Sequence, residues 1–181
     1  CSTYFPGPFN SLNFDGVDDY VTTGNISTGT SGLGITNAIT VSCWIKSDTE
    51  TWNETSMLIG KSLSFTLFPN KNDVLLQLFI QTDNGSRSAY YYPTNINTWK
   101  LYTGTYDGSN IKLYENGSTI TAGGGATTSH SGNISDNSNP IYIGRLGQTV
   151  RQVARSNPQW PCSLFLAFVL QWIKWTVCRS R

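Results

Sequence analysis

The fold is decided by the stretch Trp99–Gly117, which reads WKLYTGTYDGSNIKLYENG. Side chains alternate along Trp99–Tyr106 and again along Ile111–Tyr114, which is the period-two pattern of a β-strand. The dipeptides Asp107-Gly108 and Asn116-Gly117 follow these two runs, and both tolerate the positive φ angles of tight hairpin turns. With the run Ser118–Thr121 that follows the second turn, the stretch therefore predicts a meander of three antiparallel strands.

Similar patterns recur on both sides of this meander. Glycine-, serine- and asparagine-rich loops separate the runs, and no segment before residue 150 has the 3.6-residue apolar period of a helix. About ten short strands joined by turns are typical of an antiparallel all-β sandwich or barrel. Further strands are predicted at Ser11–Phe14, Ala38–Ser47, Met57–Lys61, Ser64–Phe68, Val74–Thr82, Tyr90–Tyr92 and Ile141–Gly144.

Length and composition narrow the class of protein. The chain has 181 residues, which fits one domain. Charged residues make up only 13%, against about 25% in typical globular proteins. This composition argues against a helical bundle or coiled coil, and the 13% of aromatic residues argues against a disordered chain. The net charge of +1 provides no general attraction to nucleic acid.

The composition changes abruptly near residue 150. Residues 1–150 hold all eleven acidic residues and seven basic ones, whereas residues 151–181 hold five basic residues and no acid. All 17 glycines lie at or before Gly147. Two different kinds of sequence therefore meet at this point.

Four segments resemble a known family, the LamG-like jelly-roll domains of the concanavalin A-like lectin/glucanase superfamily. They are SLNFDGVDDYV (Ser11–Val21), ITVSCWIKS (Ile39–Ser47), Asn97–Gly117 and PIYIGRLG (Pro140–Gly147), in the order and spacing of that family. The resemblance predicts a jelly-roll domain over residues 11–147, preceded by an N-terminal loop at 1–10 and followed by an atypical tail at 148–181.

The resemblance carries expectations about function. Such domains are two-sheet antiparallel sandwiches, and they are usually one module of a larger secreted or cell-surface protein. Many relatives bind glycans or proteins, and a structural calcium ion is frequent among them. The expected localisation is therefore extracellular, with a glycan or a surface protein as the partner and no role for nucleic acid or membrane.

The superfamily includes glucanases, so the sequence must be searched for the pair of carboxylates that such an enzyme would need. A retaining glycosidase needs two carboxyl groups about 5–5.5 Å apart. The nearest candidates, Glu50 and Glu54, lie in a polar stretch that is typical of a solvated loop. His130 is the only histidine and lies in a glycine- and serine-rich loop, so we expect it to be simply exposed. The sequence predicts a protein without catalytic activity.

A calcium site is predicted in the acidic turn after the first strand. Calcium prefers six to eight oxygen ligands, and Asp18 and Asp19 could supply carboxylates there. The alternative is that these acids cap the backbone amides of the turn. Both interpretations stay open for Asp18 and Asp19, whereas capping is preferred for Asp15 and Asp107.

A glycan site is predicted from aromatic residues beside polar loops, since sugar rings stack on aromatic faces and their hydroxyl groups bind amide or charged side chains. Trp52 lies in a polar segment and is expected to be exposed. Three consecutive tyrosines occupy alternate faces of one strand, with Tyr91 expected to pack inside. The predicted ligand-binding residues are Trp52, Asn84, Arg87, Tyr90 and Tyr92, with Asn84 and Arg87 placed in the turn before the tyrosines.

Other notable side chains are assigned to packing. Trp44 and Trp99 fall in strong strand patterns, for which sheet packing is expected. Cys43 is predicted to be a buried thiol, and the four cysteines allow three pairings that the sequence does not distinguish.

The tail admits three interpretations. Cys162–Cys178 spans 17 residues and includes Lys174, which makes a poor membrane anchor. It could also form a strand pair or a helix in the sandwich. We favour a frameshift near residue 148 or a chimeric end over a functional tail, and either would leave the last strand missing or substituted and a sheet edge open.

The sequence thus favours a non-catalytic carbohydrate-binding or adhesion module. The alternative is a structural or protein-interaction module, and a glucanase-like hydrolase ranks third.

Overall fold

The computed structural model describes residues 12–14, 20–23, 34–52, 57–70, 73–121, 125–145, 162–165 and 176–178. Within these ranges the chain forms β-strands and no α-helix. No described segment is a helix with the length and apolar character that a membrane crossing requires. The strands are β1 (Leu12–Phe14), β2 (Tyr20–Thr22), β3 (Ile39–Ser47), β4 (Met57–Lys61), β5 (Phe65–Pro69), β6 (Leu76–Thr82), β7 (Gly85–Tyr91), β8 (Lys100–Tyr106), β9 (Asn110–Glu115), β10 (Ser118–Thr119), β11 (Thr127–Ser129), β12 (Ile141–Arg145), β13 (Cys162–Phe165) and β14 (Thr176–Cys178).

The strands form two antiparallel sheets. Sheet I has the order β1-β13-β3-β8-β9-β10, and β11 also pairs with β9. Sheet II has the order β14-β2-β12-β4-β5-β6-β7. Alternate residues of each long strand are buried, as Leu76, Leu78, Ile80 and Thr82 are in β6, because one face of each sheet packs on the core. The predicted two-sheet sandwich is confirmed.

The meander predicted from Trp99–Gly117 is present as β8, β9 and β10. Asn116 and Gly117 have φ angles of 52° and 78°, as expected for a tight hairpin turn. The turn after β8 differs, because only Gly108 has a positive φ, of 87°. There the Asp107 carboxylate accepts hydrogen bonds from the amides of Asn110 at 2.7 Å and Ser109 at 2.9 Å. These bonds hold the pKa of Asp107 below its ordinary value, which confirms its capping role.

Three strands differ from the sequence prediction. β7 begins at Gly85 rather than Tyr90, because its backbone pairs with β6 continuously from the Thr82–Gly85 turn onward. β2 and β11 were not predicted, since each has only three residues and acquires its conformation by pairing with a distant strand.

The core lies between the two sheets. Fully buried aliphatic residues of β6, Leu76, Leu78 and Ile80, face the inner side of sheet I. A Cβ atom at Gly104 of β8 would lie 2.7 Å from Cδ2 of Leu78, so the sheets approach most closely where Gly104 has no side chain. Burial raises the pKa of the free Cys43 thiol to about 12, which confirms the predicted buried thiol.

A buried lysine joins β4 to the loop before β12. Lys61 is 1% exposed, and its ammonium donates to the carbonyl of Asn137 and, at 3.1 Å, to that of Asn139. The Asp136 carboxylate lies 3.7 Å away. Burial lowers the pKa of Lys61, and Asp136 opposes that change. The ammonium thereby fixes the loop that leads into β12.

Two tail strands complete the sheets. β13 pairs with both β1 and β3, and β14 pairs with β2. The position beside the N-terminal strand β1 is therefore filled, and the predicted open edge at that place is wrong. This arrangement agrees with the interpretation that the tail contributes strands to the sandwich, although β13 and β14 lie in different sheets and do not pair with each other. The frameshift stays a prediction about the coding sequence.

Candidate functional site

Two exposed tyrosines mark the end of β7. Tyr90 is 41% exposed and Tyr92 is 49% exposed. Their rings meet edge to face, with centroids 6.5 Å apart, which is a favourable arrangement for aromatic rings. Tyr90 faces the outer side of sheet II, whereas Tyr91 faces the core and is buried, as the alternation of a strand requires. The predicted packing role of Tyr91 is confirmed.

The segment at residues 125–128 positions this tyrosine pair. The Tyr90 amide donates to the carbonyl of Gly125 at 3.0 Å, and the Thr128 hydroxyl donates to the carbonyl of Ser88 at 3.2 Å. A Cβ atom at Gly125 would lie 3.3 Å from Cε1 of Tyr90, so the missing side chain leaves room for the ring. Hydrogen bonds to this segment therefore hold the edge of β7, the strand that carries Tyr90.

The tyrosines continue into the outer face of sheet II. One row of residues is in register across five strands, from Tyr142 through Gly60, Thr66 and Phe79 to Ser88. A second row joins Phe68, Gln77 and Tyr90. None of the described side chains on this face is charged. We call this surface the outer face; by strand alternation its members are Tyr20, Thr22, Leu58, Gly60, Thr66, Phe68, Gln77, Phe79, Gln81, Ser86, Ser88, Tyr90, Tyr142 and Gly144.

Trp52 is not part of an exposed site. The side chain is 3% exposed, and its indole N–H donates to the carbonyl of Val74 at 3.1 Å. Its backbone amide also donates to the carbonyl of Asp73 at 2.8 Å. The prediction of an exposed aromatic plate at Trp52 is wrong, because a segment 22 residues farther along the chain covers this ring.

Asn84 and Arg87 are also separated from the tyrosines. Asn84 lies in the turn before β7, and six residues of extended strand, about 20 Å, separate it from Tyr90. Arg87 lies within β7 rather than in the preceding turn, and strand alternation directs it to the opposite side from Tyr90. Of the five predicted ligand-binding residues, the structure brings together Tyr90 and Tyr92.

Sequence analysis missed the other members of the outer face. Phe68, Gln77 and Phe79 are half-buried. Gln77 lies between Phe68 and Tyr90 on the neighbouring strands, and Phe79 follows Gln77 on the same side of β6. The signal was the alternation within VLLQLFIQT, in which Gln77 and Gln81 mark the outer side of the strand. Trp99, expected to pack in a sheet, is instead 41% exposed just before β8.

A buried polar cluster lies behind the end of β7. The Tyr91 hydroxyl donates to Oε2 of Glu115 at 2.9 Å, and Lys100 Nζ lies 2.8 Å from Oε1 of the same carboxylate. Lys100 also donates to the carbonyl of Thr94. The Tyr102 hydroxyl is buried beside the Tyr91 hydroxyl and makes no hydrogen bond of normal geometry with any described residue. Burial, followed by the neighbouring Glu115, raises the pKa of Tyr102 well above its ordinary value.

This cluster predicts opposite outcomes for two matched variants. Tyr91→Phe should lower the free energy of unfolding by about 1.5–3 kcal/mol, because it removes a hydrogen bond to a charged group. Tyr102→Phe should leave it unchanged or raise it by about 1 kcal/mol, because a buried hydroxyl without a partner is removed. Urea unfolding of the two variants measures the difference, and equal losses would contradict this assignment.

The candidate catalytic residues do not form a described site. Glu50 is exposed, and Glu54 lies outside the described residues. His130 is half-buried rather than simply exposed, because its Nε2 lies 3.0 Å from the Thr82 hydroxyl and its ring packs 6.1 Å from that of Tyr106. Through these contacts His130 packs its loop against the ends of β6 and β8.

The predicted calcium ligands fall outside the described residues, as does Asp15. Where side chains are described, no three acidic, histidine or cysteine residues cluster as metal ligands would. A calcium ion held by Asp18 and Asp19 therefore stays a prediction.

Comparison with solved structures places this fold among known proteins. The chain is similar to domains LG4-5 of the mouse laminin alpha1 chain, at 14% identity and a TM-score of 0.53, covering 80% of this chain and 39% of that one. The binding domain of botulinum neurotoxin serotype D matches at 15% identity and a TM-score of 0.54, covering 87% and 42%. The binding domain of botulinum neurotoxin serotype C1 matches at 16% identity and a TM-score of 0.52, covering 71% of this chain and 31% of that one. The chain thus spans less than half of each.

Sequence comparison gives the family. No curated protein matches the chain at the sequence level. A family model of the concanavalin A-like lectin/glucanases superfamily, in its laminin G group, matches residues 15–154. That range covers the meander and the outer face. The chain therefore belongs to the laminin G-like family of the concanavalin A-like lectin/glucanases superfamily.

Proposed function

We propose that this domain is a non-catalytic carbohydrate-binding or adhesion module whose ligand lies on the outer face of sheet II, beginning at Tyr90 and Tyr92. The observation that carries the proposal is the exposed tyrosine pair, which is continuous with a surface of aromatic, amide and hydroxyl side chains. Aromatic rings with a few convergent polar groups are the usual composition of a ligand site. The tyrosines supply stacking surfaces, and Gln77, opposite Tyr90, supplies an amide.

The absence of catalysis is part of the proposal. Hydrolysis of a glycosidic bond by a retaining or inverting mechanism uses two carboxyl groups beside the bond. Among its described side chains the outer face has no carboxylate, so a sugar bound there would meet no acid or nucleophile from this surface. The described Glu115 carboxylate instead accepts hydrogen bonds from Tyr91 and Lys100 behind β7.

The relatives support a proposal about the setting of the module. Two of the similar structures are binding domains of botulinum neurotoxins, and the third consists of domains of a laminin chain. We propose an extracellular or cell-surface location for this domain, as one part of a longer protein. A calcium ion at Asp18 and Asp19 belongs to the same proposal.

The proposal predicts a loss of glycan binding when the tyrosine pair is removed. In a glycan array followed by calorimetry, the Tyr90→Ala/Tyr92→Ala variant should bind at least about tenfold more weakly, which equals ~1.4 kcal/mol. Trp99→Ala is the matched control, because Trp99 is 41% exposed and lies outside the outer face. That variant should retain the affinity.

Two outcomes would overturn the proposal. Binding unaffected by loss of both tyrosines would put the site elsewhere, and absence of binding to every glycan would favour a structural or protein-interaction module. Running the assay with millimolar calcium and with a chelator, together with melting curves, tests the calcium ion. A melting temperature unchanged between the two conditions would remove it.

A further inference from the structure

Two asparagine–glycine dipeptides lie at hairpin turns of the sandwich. Asn84-Gly85 lies where β6 turns into β7, and Asn116-Gly117 joins β9 to β10. Each dipeptide follows an acidic residue and precedes a serine, and all four of its residues are exposed. The glycine has no Cβ atom to hinder its backbone nitrogen from attacking the side-chain carbonyl carbon of the asparagine. Because the local sequences match, the surrounding structure decides at which site the attack occurs.

Asn116 is held through both its main chain and its side chain. Its amide donates to the carbonyl of Leu101 at 2.8 Å, and its Oδ1 accepts from the amide of Leu101 at 2.9 Å. Its φ angle of 52° belongs to the tight turn. Rotation of the side chain toward the nitrogen of Gly117 would break the bond from the Leu101 amide. Reaction at Asn116 therefore requires the junction with β8 to open.

Asn84 has a free side chain on an anchored turn. Its backbone amide donates to the Thr82 hydroxyl at 3.2 Å, whereas its side-chain amide makes no hydrogen bond with any described residue. The preceding Asp83 anchors the turn, since its amide donates to the carbonyl of Asn133 at 3.0 Å and its Oδ1 accepts from the amide of Asn133 at 2.9 Å. Both turns must distort before the glycine nitrogen can reach the asparagine, so the contrast lies in the bonds of the side chains.

We propose that Asn84 is a site of spontaneous modification, at which the side-chain amide becomes a carboxylate by way of a cyclic imide. The nitrogen of Gly85 bonds to Cγ of Asn84, and the amide nitrogen leaves as ammonia with the proton that Gly85 gives up. Water then opens the ring at either carbonyl, which leaves aspartate or isoaspartate at position 84. No electron is transferred and neither an enzyme nor a ligand is needed, so the site does not rest on the proposed function.

The modification adds a negative charge beside Asp83. Isoaspartate also lengthens the backbone of the turn by one carbon, and the turn is tied to Asn133. The change therefore acts on the loop that contains Asn133, about 20 Å of strand away from Tyr90. The domain becomes more acidic with time, while the tyrosine pair keeps its surroundings.

Peptide mapping of the aged domain tests the site. The folded protein is incubated at mildly alkaline pH, because the attacking nitrogen must lose its proton, and is then digested with trypsin. Arg87 and Lys112 lie between the two asparagines, so trypsin places these in separate peptides for mass spectrometry. We expect Asn84 to convert about tenfold faster than Asn116, as the loss of one hydrogen bond at Asn116 would require. In concentrated urea the two rates should become equal, because the bond from Leu101 is then absent.

Asn84→Gln is the control variant, because the longer side chain closes the corresponding ring far more slowly. It should remove the faster-forming acidic species seen on ion exchange and leave the conversion of Asn116 unchanged. Equal rates at the two asparagines in the folded protein would overturn the proposal. So would an Asn84 that converts in urea but is unchanged in the folded protein, because the turn would then protect it.

Discussion

Lys100→Met should lower the free energy of unfolding by about 3 kcal/mol, because it leaves the Glu115 carboxylate without its cation in a largely buried position. The Lys100 side chain is 10% exposed, and its Nζ lies 2.8 Å from Glu115 Oε1. Methionine keeps an unbranched chain of similar length, so the variant tests the charge rather than the volume. The 25% exposure of Glu115 admits some solvent, which places the expected loss at the lower end for buried pairs.

The chain provides a matched control for this prediction. Lys46 pairs with Asp48 at 3.8 Å, and their side chains are 38% and 27% exposed. Lys46→Met should therefore cost less than about 1 kcal/mol. Glu115→Gln, added to Lys100→Met, should recover part of the loss by removing the unpaired charge. Urea unfolding of the three proteins checks these values, and equal effects at Lys100 and Lys46 would contradict a buried pair.

Leu78→Ala should lower the free energy of unfolding by about 3 kcal/mol or more, because it leaves a cavity in the core of the sandwich. Leu78 is 0% exposed, and it occupies the space that Gly104 leaves open on the facing sheet. Its neighbour Phe79 is only half-buried and faces outward, so Phe79→Ala should cost about 1 kcal/mol.

Adjacent residues of one strand thus separate stability from binding. Leu78→Ala should weaken folding but leave the affinity of the folded protein for the proposed glycan ligand intact. Phe79→Ala should show the reverse, with near-normal stability and reduced affinity. Denaturant midpoints combined with calorimetry measure both quantities. Loss of affinity in Leu78→Ala at temperatures at which it is folded would contradict the division of the two faces.

The local part of this fold could be predicted from sequence. The strands of Trp99–Gly117 and their turns follow from alternation and from the dipeptide Asn116-Gly117, which both act over a few residues. The buried position of Tyr91 followed from the same alternation. The family resemblance added the two-sheet architecture.

The candidate site could be predicted only in part, because it depends on contacts between distant segments. Trp52 stands in a polar stretch, and its burial is decided by the backbone of Asp73 and Val74. The row from Tyr142 to Phe79 exists because β12 lies beside β4, although more than 75 residues separate them along the chain. Both Leu78 and Phe79 are apolar, so composition alone did not distinguish the inner from the outer side of β6.

The segment at residues 125–128 has a consequence for how copies of this domain can coexist at high concentration. A strand at the border of a sheet presents unpaired amides and carbonyls, and such borders are templates for aggregation. At β7 the amide of Tyr90 and the carbonyl of Ser88 already have partners in that segment. A second copy would find these groups occupied. Crowded copies can therefore present the tyrosine pair to a ligand without this border seeding an intermolecular sheet.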